Sequence, residues 1–424
     1  MQIKEIKIEN FKGISYLKFS PKKINLIVGR NNTGKTSVLE AIDLLFNPEN
    51  IVQMYGEHLS DIIHTETEYS ELVAKIGKSK KKLRISKSYK SEVIYQFKKD
   101  VTGAFIRSLN KFFALINLPE NIIDTEEIRH KLENKMDEAI TPEIIGIISK
   151  KSVCLLKDSE DKTVRYHLPF SEYSRISRIL LPVSLEIFEQ ISKQGTKSLN
   201  EKVLSYDEVL SVINANMFEM FSLFEHPTKI SGGKNVVLIK DLSGVKFELE
   251  EKDAEMKRKI RNIESIIKEH NLIENLERLD FDYVTFKDKN EKLSFVPFSF
   301  LGDGFKVMVG LLWHISSPNM ENKIVLLDEP ETHMHPGYIL ELIKFLIKFS
   351  DKLNIRFFIT THSWDFLDLL LDKDNFSQED QKYLEKDLLL LRMDKLDDST
   401  IPTISDYKDA KYAKDKLFLD LRGI

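Results

Sequence analysis

Apolar positions near the front of the chain recur in short extended stretches. Ile3, Ile6 and Ile8 alternate loosely with charged residues, as in a strand with one buried face. Asn10-Phe11-Lys12-Gly13 reads as a turn and residues 15–19 as the returning strand. Residues 24–28, Ile-Asn-Leu-Ile-Val, read as a strand buried on both faces. The period then changes. From Lys35 to Phe46 the apolar residues follow helical spacing, and Asn47-Pro48 predicts the stop. Residues 69–99 predict two or three strands around a polar turn at Gly77-Lys78-Ser79, and residues 104–226 are mainly helical in pattern. Residues 230–250 predict a glycine-tipped hairpin, with turns at Ser231-Gly232-Gly233 and Leu242-Ser243-Gly244.

The second half continues with one charged helical stretch over 252–279, carrying Met256, Ile260, Ile263, Ile266, Ile267, Leu272 and Leu276 on a stripe. It is too short for the coiled coil of a chromosome-organising arm. Residues 283–300 predict a hairpin and 307–315 an apolar helix. A buried strand at 324–328, a helix at 338–349 and a buried strand at 355–361 form a β-α-β run, which predicts a parallel sheet with helices on its faces. Leu388-Leu389-Leu390-Leu391 is a further short strand.

Composition narrows the class. With 424 residues, 42% of them hydrophobic, the chain can bury a large core in two to three units. A net charge of −4 excludes a surface coated in basic residues and leaves room for a local basic groove. The single cysteine, Cys154, excludes an intramolecular disulfide and a metal site built from cysteines, and fits a reducing compartment. Charge alternates with apolar residues from the N-terminus, unlike a signal peptide, and no uncharged apolar run approaches the ~18 residues of a membrane helix. The expectation is a cytoplasmic protein with no membrane partner.

Two motifs far apart in sequence carry the chemistry. Gly29-Arg30-Asn31-Asn32-Thr33-Gly34-Lys35-Thr36 follows an apolar strand and opens a helix, with Ser37 next in the helix. Glycines at these positions let backbone N–H groups face phosphates. Lys35 reaches the β- and γ-phosphates, Thr36 offers a hydroxyl to Mg2+, and the helix N-terminus adds a favourable field. Four apolar residues then lead to Asp328-Glu329-Pro330. Asp328, at a strand end, can hold Mg2+, and Glu329 is placed to polarise an attacking water. ATP and Mg2+ are the expected ligands, and the segment between the two motifs is an insertion into one ATPase.

Other features leave alternatives open. Leu301-Gly302-Asp303-Gly304-Phe305-Lys306 precedes an apolar helix, and its glycines suit either an anion at exposed amides or a plain helix cap. His362, in Thr360-Thr361-His362-Ser363, could donate to a γ-phosphate or to the attacking water, or be structural. Glu331, His333 and His335 suit a dimer-contact loop better than a metal site. The basic run Lys75, Lys78, Lys80, Lys81, Lys82, Arg84, Lys87 and Lys90 could track a nucleic-acid backbone, but reads better as a solvated hairpin.

Taken in order, these motifs resemble the ABC/SMC-type ATPases. The likeness is greatest to the OLD-like and RecF-like branch, where Asp-Glu-Pro-Glu followed by His-x-His-Pro is typical. The opening Ile6-Lys7-Ile8-Glu9-Asn10-Phe11-Lys12-Gly13 is characteristic of that branch too. The resemblance covers roughly residues 1–95 and 283–370. It implies an α/β P-loop ATPase head, a mixed and parallel sheet with flanking helices. Residues 1–99 would hold the Walker A half. Residues 282–424 would hold the signature, Walker B and switch histidine. Residues 100–281 would form a mostly helical insertion with a short coiled-coil-like helix.

The resemblance also implies Mg2+-dependent ATP hydrolysis, with Lys35, Glu329 and His362 as catalytic residues. Gly302, Asp303 and Gly304 would be the signature that completes a partner's site, so a homodimer or higher homo-oligomer through the ATP sites is implied. Two departures stand out. Gly302 replaces the usual signature serine, and no glutamine loop is obvious, Gln53 being the nearest candidate to join Thr36 and Asp328 at the metal.

OLD-type nucleases carry a Toprim domain after the ATPase. Here the residues after His362 are too few for one, and Asp397 and Asp398 are adjacent, so both cannot project from one strand face. Nuclease chemistry is therefore expected to be absent. Small ATPases of this kind without a nuclease resemble parts of antiviral systems such as PARIS or Septu, where a neighbouring gene supplies the nuclease or toxin. That implies a sensor or regulator of a separate effector protein. The alternative is a RecF-like repair ATPase that clamps duplex DNA across an ATP-dependent dimer.

Overall fold

The structure, a computed structural model, describes residues 3–115, 130, 134, 141–158, 161–167, 172, 230–232, 235–240, 254–269, 273–280, 282–288, 290–315, 322–332, 334, 336–396 and 399–422. Its contacts divide the chain into two units. One comprises Met1–Pro48, His64–Leu83 and Lys229–Ile424, the other Glu49–Ile63 and Arg84–Thr228.

The first unit opens with β1 (Ile3–Phe11) and β2 (Ile14–Phe19), an antiparallel pair turned through Asn10 and Lys12 at positive φ. After β3 (Ile24–Gly29), β4 (Tyr69–Ile76) returns to pair antiparallel with β1. The turn at Gly77, φ 57°, leads into β5 (Ser79–Lys87), which starts in the first unit and ends in the second. The second unit holds β6 (Ser152–Lys157) and β7 (Asp161–Tyr166), an antiparallel hairpin inside a stretch whose pattern predicts mainly helix. Of the two or three strands expected over residues 69–99, two form, because residues 90–99 belong to the helix Lys90–Leu115. Val93, Phe97 and Val101 are buried at a spacing of four, and Phe97 packs edge-on against Tyr166 at 5.5 Å between ring centroids.

The remaining strands belong to the first unit: β8 (Ile230–Gly232), β9 (Val236–Ile239), β10 (Leu276–Leu279), β11 (Tyr283–Lys287), β12 (Leu293–Pro297), β13 (Ile324–Asp328), β14 (Arg356–Thr361), β15 (Leu388–Leu396) and β16 (Ser399–Asp406). A seven-stranded sheet runs in the order β16-β15-β3-β14-β13-β9-β8. Its five inner strands are parallel and its two edge strands antiparallel. Every residue of β3 and of β14 is buried, which is why both read as apolar runs rather than alternations.

One face of this sheet presents Leu26, Val28, Val237, Ile239, Val325, Leu327, Phe357 and Ile359 to a core filled by the helices Ala254–Glu269, Asp303–Ile315, Pro336–Lys352 and Trp364–Leu371. The helix Lys35–Phe46 covers the other face and touches β1 and β4 behind it, and Phe19 of β2 meets Phe358 edge-on at 6.4 Å. Each large apolar side chain so buried stabilises the fold by about 1.5–3 kcal/mol. A one-residue slip of any inner strand would exchange its two faces, so the register is strongly specified.

Two other expectations change here. The hairpin of residues 230–250 exists as β8 and β9, but β9 lies beside β13 in the ATPase sheet. All four of its residues are buried, as in a strand covered on both faces. The helix Ala254–Glu269 buries Ile260, Ile263 and Ile267 in the same core, with Lys259 4.2 Å from the centre of the Trp313 ring. It is therefore a core helix of the first unit, not a coiled-coil-like arm, and Leu276 starts β10. The turn at 242–244 and Leu272 lie outside the described residues. Among the described residues, no helix is long and apolar enough to cross a membrane.

Candidate active site

Parallel strands bring their carboxyl ends to one edge, where α/β sheets place ligands. Val28 is level with Thr361 of β14 and Arg392 of β15, Asp328 with Thr360, and Leu327 with Ile239 of β9. The chemistry-bearing residues leave from these strand ends.

The loop after β3 is held tightly. A Cβ on Gly29 would lie 2.5 Å from Thr33 Oγ1 and 2.6 Å from the Met393 carbonyl oxygen, so no larger residue fits. Thr33 Oγ1 donates to the Arg30 carbonyl at 2.9 Å, and Thr400 Oγ1 of β16 donates to the Thr33 carbonyl at 3.2 Å. Gly34, φ 91°, precedes the helix Lys35–Phe46, whose start no side chain caps. The amides of that first turn therefore face the loop, as an anion requires. Arg30, Asn31 and Asn32 are exposed at its rim, while Thr36 and Ser37 are half-buried. Lys35 is buried, and its Nζ donates to the carbonyls of Gly29 at 3.0 Å and Arg30 at 2.9 Å. Burial pulls its pKa below the ordinary lysine range, opposed by the charges of Glu329, Asp328 and Glu331.

Across the edge, two hydroxyls converge on Asp328 Oδ1, Thr36 Oγ1 at 3.0 Å and Thr360 Oγ1 at 2.6 Å. Burial raises the Asp328 carboxyl above its usual range, with those two hydrogen bonds opposing. Glu329 has φ 45°, a left-handed conformation, and its N–H donates to Thr360 Oγ1 at 3.0 Å. Its Oε1 lies 2.9 Å from His362 Nδ1 and 3.8 Å from Lys35 Nζ. Glu331 is buried beneath them and accepts a hydrogen bond from Thr361 Oγ1, which in turn accepts from the Ser363 N–H at 3.0 Å. Glu331 Oε2 is buried without a hydrogen-bond partner.

Thr36 and Asp328 fit a hard divalent cation, since both offer oxygen and lie within hydrogen-bond distance of each other. Among the described residues no group of three or more His, Cys, Asp or Glu could hold a metal. A cation here would need phosphate oxygens to complete its shell, which is the habit of Mg2+.

The structure thus brings together Lys35, Thr36, Asp328, Glu329 and His362. Gly302 stands elsewhere on the same unit, its carbonyl accepting from the N–H groups of Phe305 at 3.0 Å and Lys306 at 3.2 Å. A Cβ there would lie 2.7 Å from Tyr338 Oη, so a larger residue would require the exposed Tyr338 ring to shift. Asp303 and Gly304 open the helix Asp303–Ile315. Gln53 lies on the helix Ile51–Tyr55 of the second unit. His333, His335, Asp397 and Asp398 lie outside the described residues. Part of the basic run is matched locally, with Lys75 2.8 Å from Glu5, Lys82 2.5 Å from Glu71 and Lys81 over the Phe46 ring.

The family model described as the AAA ATPase domain, AAA_15, matches residues 1–367. The chain belongs to this family. It is an ATP-binding enzyme that hydrolyses ATP, with the P-loop of residues 29–36 at its centre. Among relatives, a Helicobacter pylori protein described as an ATP/GTP phosphatase is 23% identical over 382 residues, 87% of each chain. The DNA replication and repair protein RecF of Prosthecochloris aestuarii is 58% identical over 43 residues, 10% of this chain and 12% of that one. The SMC head domain from Thermotoga maritima aligns with 96% of this chain and 100% of its own, at 12% identity and a TM-score of 0.41.

The family match ends at residue 367, yet β15 pairs with the P-loop strand and Thr400 holds the loop itself. No sequence signal marks Thr400, which stands in a mostly polar strand. Thr360 and Thr361 are visible in the sequence only as neighbours of His362.

Proposed function

We propose that this ATPase is a nucleotide-gated regulator. ATP closes two copies upon each other, and the closed pair controls a separate effector protein, a nuclease or toxin, in antiviral defence. The observation that carries the reading is the use made of the residues beyond β14. β15 and β16 complete the ATPase sheet. Residues 364–422 therefore build the ATPase itself, and the effector chemistry is proposed to lie on another protein.

At the site, the loop amides and Lys35 take the phosphates, and Thr36 with Asp328 would hold Mg2+. When bound, the ion neutralises charge on the β- and γ-phosphate oxygens. Glu329 orients and polarises the attacking water, and His362, fixed through Nδ1 on Glu329, turns its other ring nitrogen to the γ-phosphate. The Gly302 turn has no hydroxyl, so it would meet a partner's γ-phosphate through the amides that open the helix Asp303–Ile315.

The RecF-like clamp is the second reading, favoured by the 43-residue match to RecF. One preparation separates the two. Glu329→Gln protein should become dimeric by light scattering with ATP and stay monomeric with ADP. On duplex DNA it should show no ATP-dependent anisotropy change, while retaining a stoichiometric host protein that Lys35→Ala does not retain. ATP-dependent DNA binding that falls steeply with salt would establish the clamp instead. A monomer in ATP would overturn both.

A further inference from the structure

Glu40 lies one helical turn beyond Thr36, on the same face of the helix Lys35–Phe46. It is 5% exposed and holds two lysines, Lys12 Nζ at 2.5 Å from Oε2 and Lys240 Nζ at 2.5 Å from Oε1. Burial pushes this carboxyl upward, and the two ammonium groups outweigh it, leaving the group below its usual range. Lys240 follows β9, whose last residue, Ile239, is level with Leu327. The next residue on β13 is Asp328, so Lys240 stands beside the proposed metal ligand, on the side away from the P-loop strand. Its charge is felt there, favouring the ionised form of Asp328.

By charge, one of the two lysines on Glu40 is surplus. A buried carboxylate needs a cation, and Lys12 alone supplies it. Lys240 can therefore leave without stranding a buried charge, and its side chain, 35% exposed, has room to move. Thr36 and Asp328 would hold a divalent cation that neutralises phosphate charge, so phosphates seated on the P-loop would place their terminal group toward Asp328. Lys35 approaches from the P-loop side and Lys240 from the other.

We propose that Lys240 is a second phosphate-binding lysine of this ATPase, held on Glu40 and drawn to the γ-phosphate when ATP binds. The inference rests on the placement of metal and phosphates at Thr36 and Asp328.

The test is equilibrium binding of a fluorescent non-hydrolysable ATP analogue and of fluorescent ADP, both with Mg2+. The proteins are wild type, Lys240→Ala, Lys240→Arg and Lys35→Ala. Lys240→Ala should weaken the ATP analogue about tenfold, the worth of one charge-assisted hydrogen bond, and ADP less than about twofold. Lys240→Arg should restore most of the difference. Glu40 keeps Lys12 in Lys240→Ala, so its melting curve should match wild type. Equal losses for the two nucleotides, or no loss for either, overturn the proposal. If Lys35→Ala also binds normally, the placement of the phosphates fails rather than the role of Lys240 alone.

Discussion

His362 Nδ1 lies 2.9 Å from Glu329 Oε1, a contact that ties the end of β14 to the end of β13. Glu329 is thereby aimed by a residue outside its own strand, and Lys35 Nζ, 3.8 Å from the same oxygen, closes the group from the P-loop side. If Glu329 polarises the water and His362 positions it, the two substitutions should separate from nucleotide binding. Glu329→Gln should lower kcat by about 100-fold or more, and His362→Ala by about 10- to 100-fold, with nucleotide Kd unchanged within a few-fold. Steady-state kinetics beside equilibrium binding would check this. Normal turnover in Glu329→Gln would remove it from the role of base.

Beneath that pair, Thr361 serves Glu331 and Ser363 at once. Thr361→Val removes the hydroxyl that donates to the buried Glu331 carboxyl, whose Oε2 already has no hydrogen-bond partner. The cost should be about 1–3 kcal/mol in urea denaturation, with a lower kcat because the His362 loop loses its anchor. Glu331→Gln in the same background should recover part of the stability by removing the stranded charge. A Thr361→Val protein as stable as wild type would show that the contact is not a net stabiliser.

What the sequence disclosed follows how local each signal is. β3, β13 and β14 are covered on both faces, so their apolar runs announce them, and the P-loop and the Asp328-Glu329 pair are contiguous strings whose neighbours suffice to read them. β9 is equally buried, but its four residues sit within a glycine-rich hairpin, and only the finished sheet shows that it flanks β13. Val93, Phe97 and Val101 carry helical spacing that the surrounding lysines and β-branched residues obscure. Thr400 and Lys240 act through contacts made across the whole fold, to Thr33 and Glu40, and no short motif encodes such a meeting.

Gly29 tests the loop by shape alone. An added methyl meets the Met393 carbonyl oxygen at 2.6 Å, and that atom is backbone of β15, fixed in register with β3. Relief would have to come from moving the loop. Gly29→Ala should therefore lose at least about tenfold in nucleotide affinity and about 1–3 kcal/mol of stability. Isothermal titration with ATP and a melting curve would measure both. Wild-type affinity would show that the loop gives way freely.

His314, near the end of the helix that starts at Asp303, gives a pH signature. Its Nε2 is buried without a partner, and burial, helped by the charge of Lys259, pushes its pKa down to about 4. An unfolded chain returns it to about 6.5, so between these values the unfolded state binds more protons and stability rises with pH. The contribution is complete above about pH 6.5 and is lost as pH falls toward 4. His314→Leu keeps the volume and removes the proton site. Its melting temperature should fall less than that of wild type between pH 7 and pH 4.5, and the difference between the two curves cancels every other titrating group, Glu40 and Asp328 included. If both proteins lose stability in parallel, the acid sensitivity belongs to those other groups and His314 is protonated at no cost to the fold.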